Sequence, residues 1–178
     1  RKTAGGLWYL EFDGVDDVLL TADSFVDISS GYSAVASAFS ADVTSIQSIL
    51  DADSITNRAA QLLRINSSDI ETIAFLATES KSDMSGQTLV NDEAFVSSAI
   101  GRATNIEAFV DGVSNGSTAF ASTLTTNKSI LALGRRAAGT VQFLNGGVYG
   151  AIYINKTFST PEQTTAQNWA ADKSGVTL

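Results

Sequence analysis

Two carboxylates near the N-terminus have the spacing that best suits chemistry in this chain. Glu11 and Asp13 are two positions apart, and Asp16 follows three positions later. In an extended strand the side chains at i and i+2 lie on one face, roughly 7 Å apart, and two carboxyl groups at such a distance can hydrolyse a glycosidic bond. Because Asp13-Gly14 is also a turn signal, a structural role in a turn is the alternative that we favour.

The same turn contains several carboxylates whose oxygen atoms can bind a metal ion. Asp13, Asp16 and Asp17 follow one another closely, and calcium takes roughly six to eight oxygen ligands from carboxylates and loop carbonyls. The cluster therefore predicts a candidate calcium site, and no other cofactor is predicted. The alternative is again conformational, because aspartate is a favoured turn residue and the ligand pattern of an EF-hand loop is absent.

Composition excludes several classes of function. The 178 residues include no cysteine and no histidine, which excludes disulfides, zinc–thiolate centres, histidine-dependent catalytic triads and histidine-ligated metals. The 19 acidic residues outnumber the 11 basic ones, and the net charge of −8 would repel a phosphate backbone. No stretch of about 18 apolar residues is present. We therefore expect neither nucleic-acid binding nor membrane insertion.

Aromatic and arginine residues in the second half of the chain suit sugar recognition, which combines an aromatic platform with planar hydrogen-bonding groups. Arg135 and Arg136 begin a loop at 135–142, and Tyr149 and Tyr153 lie on the strand that follows. These four residues are the predicted ligand-binding residues. The alternatives are a solvated basic turn for the arginines and burial under a helix for the tyrosines.

Alternation of apolar and polar residues with period two, bounded by small polar turn residues, dominates the chain. In the first such segment Trp8, Leu10 and Phe12 share one face and are expected in the core. About a dozen segments at spacings of about ten residues favour an all-β sandwich over βαβ units. The predicted strands are 7–13, 17–21, 32–40, 46–51, 60–66, 70–77, 88–90, 95–100, 106–111, 130–133, 141–144 and 148–155.

One segment has the signals of a helix, at about 161–173. Thr160 is the predicted N-cap, Pro161 suits the first helical position, and Gln163 completes a capping box. Gly175 is a suitable residue to end the helix in a left-handed conformation. The apolar stripe through which we expect this helix to dock on the edge or end of the sandwich consists of Ala166, Trp169 and Ala170.

Four parts of the chain resemble, in order, parts of the laminin G-like, concanavalin A-like jelly-roll domains. Leu10–Val18 is similar to their opening strand pair, and 31–39 is similar to the early core strand that follows. Asn105–Gly112 resembles a strand that ends in a tight D-G turn, and 130–153 contains segments that resemble the closing strands. Together the matches extend from about residue 8 to residue 158.

This resemblance implies an all-β fold, an antiparallel two-sheet jelly-roll sandwich with one C-terminal α-helix. The whole chain, 1–178, is then a single domain, with an N-terminal extension at 1–6, the β-sandwich at 7–158 and the helix at 160–174. The family often carries an acid that helps to hold a cation in its penultimate strand, and Gly150 occupies that position here. The calcium prediction therefore rests on the aspartates of the first turn and not on the family pattern.

Two looser resemblances bear on function. Residues 11–16 are similar to the E-x-D-x-x-E signature of concanavalin A-like β-glucanases, with Asp16 in place of the third glutamate. Residues 169–178 resemble the C-terminal ends of jelly-roll domains in bacteriophage virion and tail proteins. The first implies a glycanase that uses Glu11 and Asp13, and the second implies a component of a virus particle.

The leading hypothesis is a non-catalytic structural or adhesion module of a phage particle, such as a tail-fibre or decoration protein, located in the virion or outside the cell. Its expected partners are other virion proteins, copies of itself and host-surface glycans. A secreted carbohydrate-binding module is the first alternative, and the glycanase is the second. Because folds host unrelated functions, the binding residues must be judged from the site itself.

Overall fold

The computed structural model describes residues 1, 3, 6–53, 58–76, 80–137 and 139–178. Within these residues lie fourteen strands and one α-helix. Their bounds, in chain order, are β1 (Leu10–Asp13), β2 (Leu19–Leu20), β3 (Val26–Asp27), β4 (Tyr32–Ser40), β5 (Gln47–Asp53), β6 (Arg58–Asn66), β7 (Asp69–Phe75), β8 (Ser80–Met84), β9 (Phe95–Gly101), β10 (Asn105–Val110), β11 (Thr118–Ala119), β12 (Lys128–Ser129), β13 (Ala132–Leu133), β14 (Asn145–Ile154) and α1 (Thr160–Ser174).

The strands form two large sheets and one short pair. The first sheet has the order β1-β14-β4-β9-β10-β11, the second has the order β2-β13-β5-β6-β7-β8, and β3 pairs with β12. All of these pairs are antiparallel. Long crossovers place strands that are distant in sequence, such as β14 and β4, side by side, as in jelly rolls. The predicted antiparallel two-sheet jelly-roll sandwich is therefore confirmed.

Strand β4 shows how the sequence produces two apolar layers. Ala34, Ala36 and Ala38 belong to the main core between the sheets, whereas Val35 belongs to a second apolar cluster that includes residues of α1. Because successive side chains of a strand point to opposite faces, one strand supplies both layers. All but one of its residues are buried, which explains why this central strand consists of small, apolar and aromatic residues and has no charged one.

Helix α1 covers the outer face of the first sheet. Its packing residues are small, so that the helix axis approaches the sheet closely, and they contact Val35 and Val96. The side chain of Gln167 adds a hydrogen bond of 2.8 Å from its Nε2 to Oγ of Ser98. The buried apolar residues of the helix are Ala166, Ala170 and Ala171. Within the described residues, α1 is not long and apolar enough to cross a membrane.

The predicted helix is confirmed, but its N-cap lies one residue before the predicted one. Ser159, not Thr160, is the N-cap, and Glu162, not Gln163, closes the capping box by accepting the Ser159 N–H at 2.8 Å. Both Ser-x-x-Glu and Thr-x-x-Gln satisfy the same local pattern, so the sequence could not choose between the two registers. The predicted end is confirmed, since Gly175 follows the helix with a φ of 74°.

Two predicted strands, 88–90 and 141–144, are wrong. Leu89 donates its N–H to the carbonyl of Ser68 at 2.7 Å, but neither segment joins a ladder, because an alternating pattern favours an extended backbone and does not supply a partner. The sequence also missed four strands, three of them only two residues long: β3, β8, β11 and β12. Residues 2, 4 and 5 of the predicted extension and residue 77 of a predicted strand lie outside the described residues.

Polar side chains connect the two sheets inside the sandwich. Tyr32 in β4 is fully buried, and its hydroxyl shares a hydrogen bond of 2.8 Å with that of Thr72 in β7. Asp83 in β8 accepts the N–H of Ala108 in β10 at 2.9 Å and the hydroxyl of Thr118 in β11 at 2.7 Å. Burial raises the pKa of Asp83, and these hydrogen bonds act in the opposite direction. Since an unpaired buried polar group costs about 1–3 kcal/mol, these bonds favour one stacking of the sheets.

The capping box gives α1 a predictable response to pH. Hydrogen bonds from Lys156 and Ser159 lower the pKa of Glu162 from 4.5 to about 2. A carboxylate with a lowered pKa in the folded state stabilises the fold above its unfolded pKa, and this stabilisation is lost as the pH falls through the folded value. We expect the stability difference between the wild type and Glu162→Gln to shrink between pH 4.5 and about 2, measured by urea unfolding. A constant difference over this interval would contradict the prediction.

The close packing around Gly101 leads to a second prediction, which concerns the free energy of unfolding. A Cβ atom at this position would lie 2.2 Å from Cε1 of Tyr32, whose ring is fully buried. We expect Gly101→Ala to lower the free energy of unfolding by about 1–3 kcal/mol, the usual cost of overpacking. Tyr32→Leu removes the obstructing ring, so the double variant should cost less than the sum of the two single variants. Additive costs in denaturant unfolding would show that the ring is not the obstacle.

Candidate functional site

Asp13 organises the turn between β1 and β2. Its Oδ1 accepts the N–H of Val15 at 2.8 Å, and its own N–H donates to Oδ2 of Asp17 at 3.0 Å. Gly14 has a φ of 78°, and a Cβ atom there would lie 2.9 Å from Cβ of Asn145 on β14. The turn role that we favoured for the D-G pair therefore corresponds to a set of hydrogen bonds and one close approach.

The three aspartates of the calcium prediction lie together. Carboxylate oxygens of Asp13, Asp16 and Asp17 are within 4.8 Å of one another, and all three residues are exposed. This spacing suits shared coordination of one cation, which would take its remaining oxygen ligands from carbonyls and water. Two of the three side chains already accept backbone N–H groups of the turn. The calcium site stays a prediction.

Glu11 and Asp13 lie on the same exposed side of β1, with the buried Phe12 between them. The carboxylate of Glu11 forms an ion pair with the guanidinium of Arg1, and that of Asp13 holds the turn. Both groups therefore have structural partners. A glycanase requires one carboxyl group to donate a proton and the other to act as nucleophile or base, and these contacts favour the structural interpretation of the pair.

Arg135 and Arg136 lie in the loop between β13 and β14, and both are half-buried. The guanidinium carbon of Arg135 is 5.6 Å from the centroid of the Phe143 ring, within the range of a cation–π contact. The loop is attached to β5, because the N–H of Ala137 donates to Oδ1 of the fully buried Asp51 at 2.9 Å. The loop that carries the two arginines is therefore held at the second sheet, and their role in ligand binding stays a prediction.

Tyr153 connects β14 to β3. Its ring packs against the main core and lies 5.9 Å from the ring of Phe25. Its hydroxyl donates to Oδ1 of Asn155 at 2.5 Å, and the same oxygen accepts the N–H of Asp27 at 2.9 Å. Burial raises the pKa of Tyr153, so its hydroxyl keeps the proton that it donates. These contacts are structural, and binding of a ligand by Tyr153 stays a prediction.

Tyr149 belongs to a different environment, a cluster of three aromatic rings. The ring centroids of Tyr9 and Tyr149 are 5.7 Å apart, and Phe39 lies 5.2 Å from Tyr9 and 5.9 Å from Tyr149. Tyr149 occupies a β-bulge, because Val148 pairs with Ala38 while Gly150 pairs with the adjacent Ser37. A bulge residue leaves the regular ladder and its side chain is redirected. Desolvation by burial raises the pKa of Tyr149, so its hydroxyl remains protonated.

A groove of about 340 Å³ opens beside this cluster, at the edge of the sandwich where β1 and β14 face β13. Pockets that bind small molecules commonly measure about 300–1,000 Å³ and combine apolar walls with a few polar groups. The groove fits this description through its aromatic side chains, one guanidinium and the phenol groups. The lining residues are Arg1, Trp8, Tyr9, Leu10, Leu133, Val148, Tyr149, Gly150 and Ala151; we name this the edge groove.

Trp8 was expected in the core, and this prediction is wrong. Trp8 is 70 % exposed, and Leu10, on the same predicted strand, is 50 % exposed, whereas Phe12 is buried. The ladder of β1 with β14 extends only from Leu10 to Asp13, and β1 is the outermost strand of its sheet. Trp8 therefore lies at the rim, beyond the part of the strand that the core covers. The adjacent pair Trp8-Tyr9 was the one signal in the sequence that could have indicated an aromatic surface here.

A second groove, of about 460 Å³, lies between α1 and β14. Its walls include Ile152, Phe158 and Trp169. The indole of Trp169 lies over Gly150, where a Cβ atom would be 2.7 Å from the ring, and the residue remains 36 % exposed. Trp169 thus contributes to docking, as predicted, beside the alanines of α1, which are more deeply buried. The lining of this groove is mostly apolar, and its charged residue, Glu162, already accepts hydrogen bonds from Lys156 and Ser159. We regard the edge groove, which has a guanidinium and two phenol groups, as the better candidate for a sugar.

The overall fold is shared with several solved structures of low sequence identity. No family model matches the chain, and no curated protein matches it either. Domains LG4-5 of the mouse laminin alpha1 chain superpose with a TM-score of 0.66 at 12% identity, over 89% of this chain and 45% of that one. The CBM40 of the Ruminococcus gnavus IT-sialidase, bound to alpha2,3 sialyllactose, gives 0.64 at 11% identity, over 92% and 98% of the two chains.

A third similar structure is the ligand-binding domain of botulinum neurotoxin serotype D in complex with N-acetylneuraminic acid. Its TM-score is 0.65 at 11% identity, over 95% of this chain and 44% of that one. The chain thus spans a little under half of the laminin and neurotoxin structures. At such identities the likeness concerns the fold alone, and it confirms the resemblance to laminin G-like and concanavalin A-like jelly rolls.

The calcium prediction is tested by thermal unfolding. An ion that binds only the folded state stabilises it, by about 2.7 kcal/mol at a hundredfold excess over its dissociation constant. We expect calcium to raise the unfolding temperature relative to a chelator, and Asp16→Asn to remove the shift. Asp172→Asn, which changes an exposed acid on α1, is the matched control and should keep it. Identical unfolding temperatures with calcium and with chelator would exclude the site.

Proposed function

We propose that this chain is a non-catalytic glycan-binding jelly-roll module that acts outside the cell. The observation that carries the proposal is the exposed indole of Trp8 beside Tyr9 and Tyr149 in the edge groove. Large aromatic side chains exposed on a folded surface mark interaction sites more often than charged ones do. An apolar ring face suits the C–H face of a sugar, and neighbouring polar groups suit its hydroxyls.

The rigidity of the groove supports binding. Tyr149 is held against Tyr9 and Phe39 by ring contacts, and Gly150 is held beneath the indole of Trp169. A site whose side chains are fixed before binding loses less conformational entropy when the ligand arrives. The phenol of Tyr149, which keeps its proton, can donate a hydrogen bond to a ring or hydroxyl oxygen of the sugar.

The comparisons support the same class of function. Two of the similar structures hold sialic-acid-containing ligands, so the jelly-roll scaffold that this chain shares is compatible with sugar recognition. A non-catalytic role is supported by the structural partners of Glu11 and Asp13, the carboxylates that a glycanase would use. Fold alone does not carry function, which is why the proposal rests on the groove.

The proposed setting is the surface of a virus particle, where the module would contact host-surface glycans and neighbouring virion proteins or copies of itself. The resemblance of residues 169–178 to the ends of phage virion proteins supports this setting. A secreted carbohydrate-binding module is the alternative. The two settings differ in one observable respect, since a virion protein is present at a fixed number of copies per particle.

The proposal predicts that retention on a glycan array depends on the edge groove. We expect Trp8→Ala and Tyr149→Ala each to weaken binding at least tenfold, equivalent to about 1.4 kcal/mol, because each removes an aromatic contact at the centre of the site. Dissociation constants for the best glycan on the array, measured by calorimetry, provide the comparison.

Two further variants separate this site from other surfaces. Phe25→Ala truncates an aromatic residue that is 43% exposed but does not line the groove, so binding should persist. Arg135→Ala tests the predicted arginine loop, which would emerge as the binding surface if only this variant lost affinity. Unchanged affinity in Trp8→Ala and Tyr149→Ala, with folding intact, would refute the edge groove as the site.

A further inference from the structure

We infer that the edge groove selects uncharged glycans over sialylated ones. This inference rests on the proposed function and specifies the class of sugar that the groove accepts. It opposes what the two sialic-acid complexes of the same fold would suggest by analogy. The reason lies in the charges that line and surround the groove.

Among the described residues, the lining of the groove includes one cationic side chain, and that side chain is paired with a carboxylate. Among the described residues that line it, only Arg1 carries a positive charge, and its guanidinium forms an ion pair with Glu11. The backbone nitrogen of Arg1 donates to the carbonyl of Tyr9 at 2.6 Å, and the N–H of Tyr9 donates to the carbonyl of Arg1 at 2.9 Å. These bonds hold Arg1 alongside the strand, where its side chain reaches Glu11.

The surface next to the groove is acidic. Leu10 lines the edge groove and also a smaller cleft of about 120 Å³, whose walls include Glu11 and Asp17. Asp13 and Asp16 stand beside Asp17, with their carboxylate oxygens within 4.8 Å of it. The whole chain has a net charge of −8. A sialic acid carboxylate that entered the groove would therefore be repelled by the negative charges of the adjoining surface, and such like-charge repulsion disfavours a ligand.

Uncharged sugars avoid this electrostatic repulsion and can form hydrogen bonds with the same carboxylates. A sialyl carboxylate that bound Arg1 would share this guanidinium with Glu11, and two carboxylates at one cation repel each other. The hydroxyl of a neutral sugar instead donates to a carboxylate oxygen and leaves the ion pair in place, because a carboxylate accepts several hydrogen bonds at once. The aromatic contacts of Trp8 and Tyr149 are the same for both classes of ligand, so the charges decide the preference.

The test compares pairs of glycans that differ only in a terminal sialic acid, such as lactose and alpha2,3 sialyllactose, on an array and then by calorimetry. We expect the neutral member of each bound pair to bind at least tenfold more tightly in low salt. Added salt should reduce the difference in affinity between the two members, because it screens the repulsion between the sialic acid and the acidic surface. Tighter binding of the sialylated members would overturn the inference and leave the proposed function standing, whereas binding of neither member of any pair would overturn both.

A pair of variants tests the mechanism of selection. Glu11→Gln releases Arg1 and removes one negative charge, so the preference for the neutral glycan should fall about tenfold. Glu93→Gln makes the same change of charge at an exposed site that does not line the groove, and its preference should match the wild type. Equal preferences in both variants would show that the ion pair does not control selectivity. Thermal unfolding of each variant confirms that the comparison is between folded proteins.

Discussion

The pairing of β14 with β4 is the interaction on which the rest of the structure depends. Eight residue pairs join the two strands, interrupted by one bulge between Val148 and Gly150. This pairing brings the C-terminal part of the chain into the centre of the first sheet, between β1 and β4. It therefore determines where α1, which follows β14 directly, can lie. The bulge adds one residue, Tyr149, and so releases a large ring from the ladder at the edge of the groove.

Small residues around this pairing make the close approaches possible. Gly147 lies under the rings of Phe39 and Tyr9, and Gly150 lies under that of Trp169, each too close to admit a Cβ atom without movement. Aromatic rings thus cover backbone on the outer face on both sides of the bulge. Because protein interiors are packed as densely as organic crystals, these contacts fix the rings in place. The packing of the sheet therefore gives the edge groove a rigid wall.

Electrostatics acts on the surface and inside the sandwich in different ways. In the interior, acidic groups such as Asp83 are held by backbone and hydroxyl donors from the opposite sheet, which compensates for their desolvation. At the surface, Glu11 is paired with Arg1 at the rim of the groove, and Asp17 of the first turn lines the adjoining cleft. The same chain therefore uses carboxylates to join its sheets and to give one rim a negative character.

The sequence by itself determined the local structure of a segment wherever the signal lies within that segment and does not depend on a neighbouring strand. The period-two pattern of β4 and the glycine stop of α1 were predicted correctly, because side-chain alternation and left-handed φ are properties of the segment. Only the tertiary structure decided which segments pair with a neighbouring strand and why 141–144 is a loop. It also decided that Trp8 is exposed, although Trp8 and the buried Phe12 share one face of the predicted strand. The reason is physical: burial and hydrogen bonding of a strand depend on what lies beside it. β1 is the outermost strand of its sheet, and Trp8 precedes the residues of β1 that pair with β14. The edge groove consequently emerged only when Trp8, Tyr9 and the bulge at Tyr149 were brought together by strands at opposite ends of the chain.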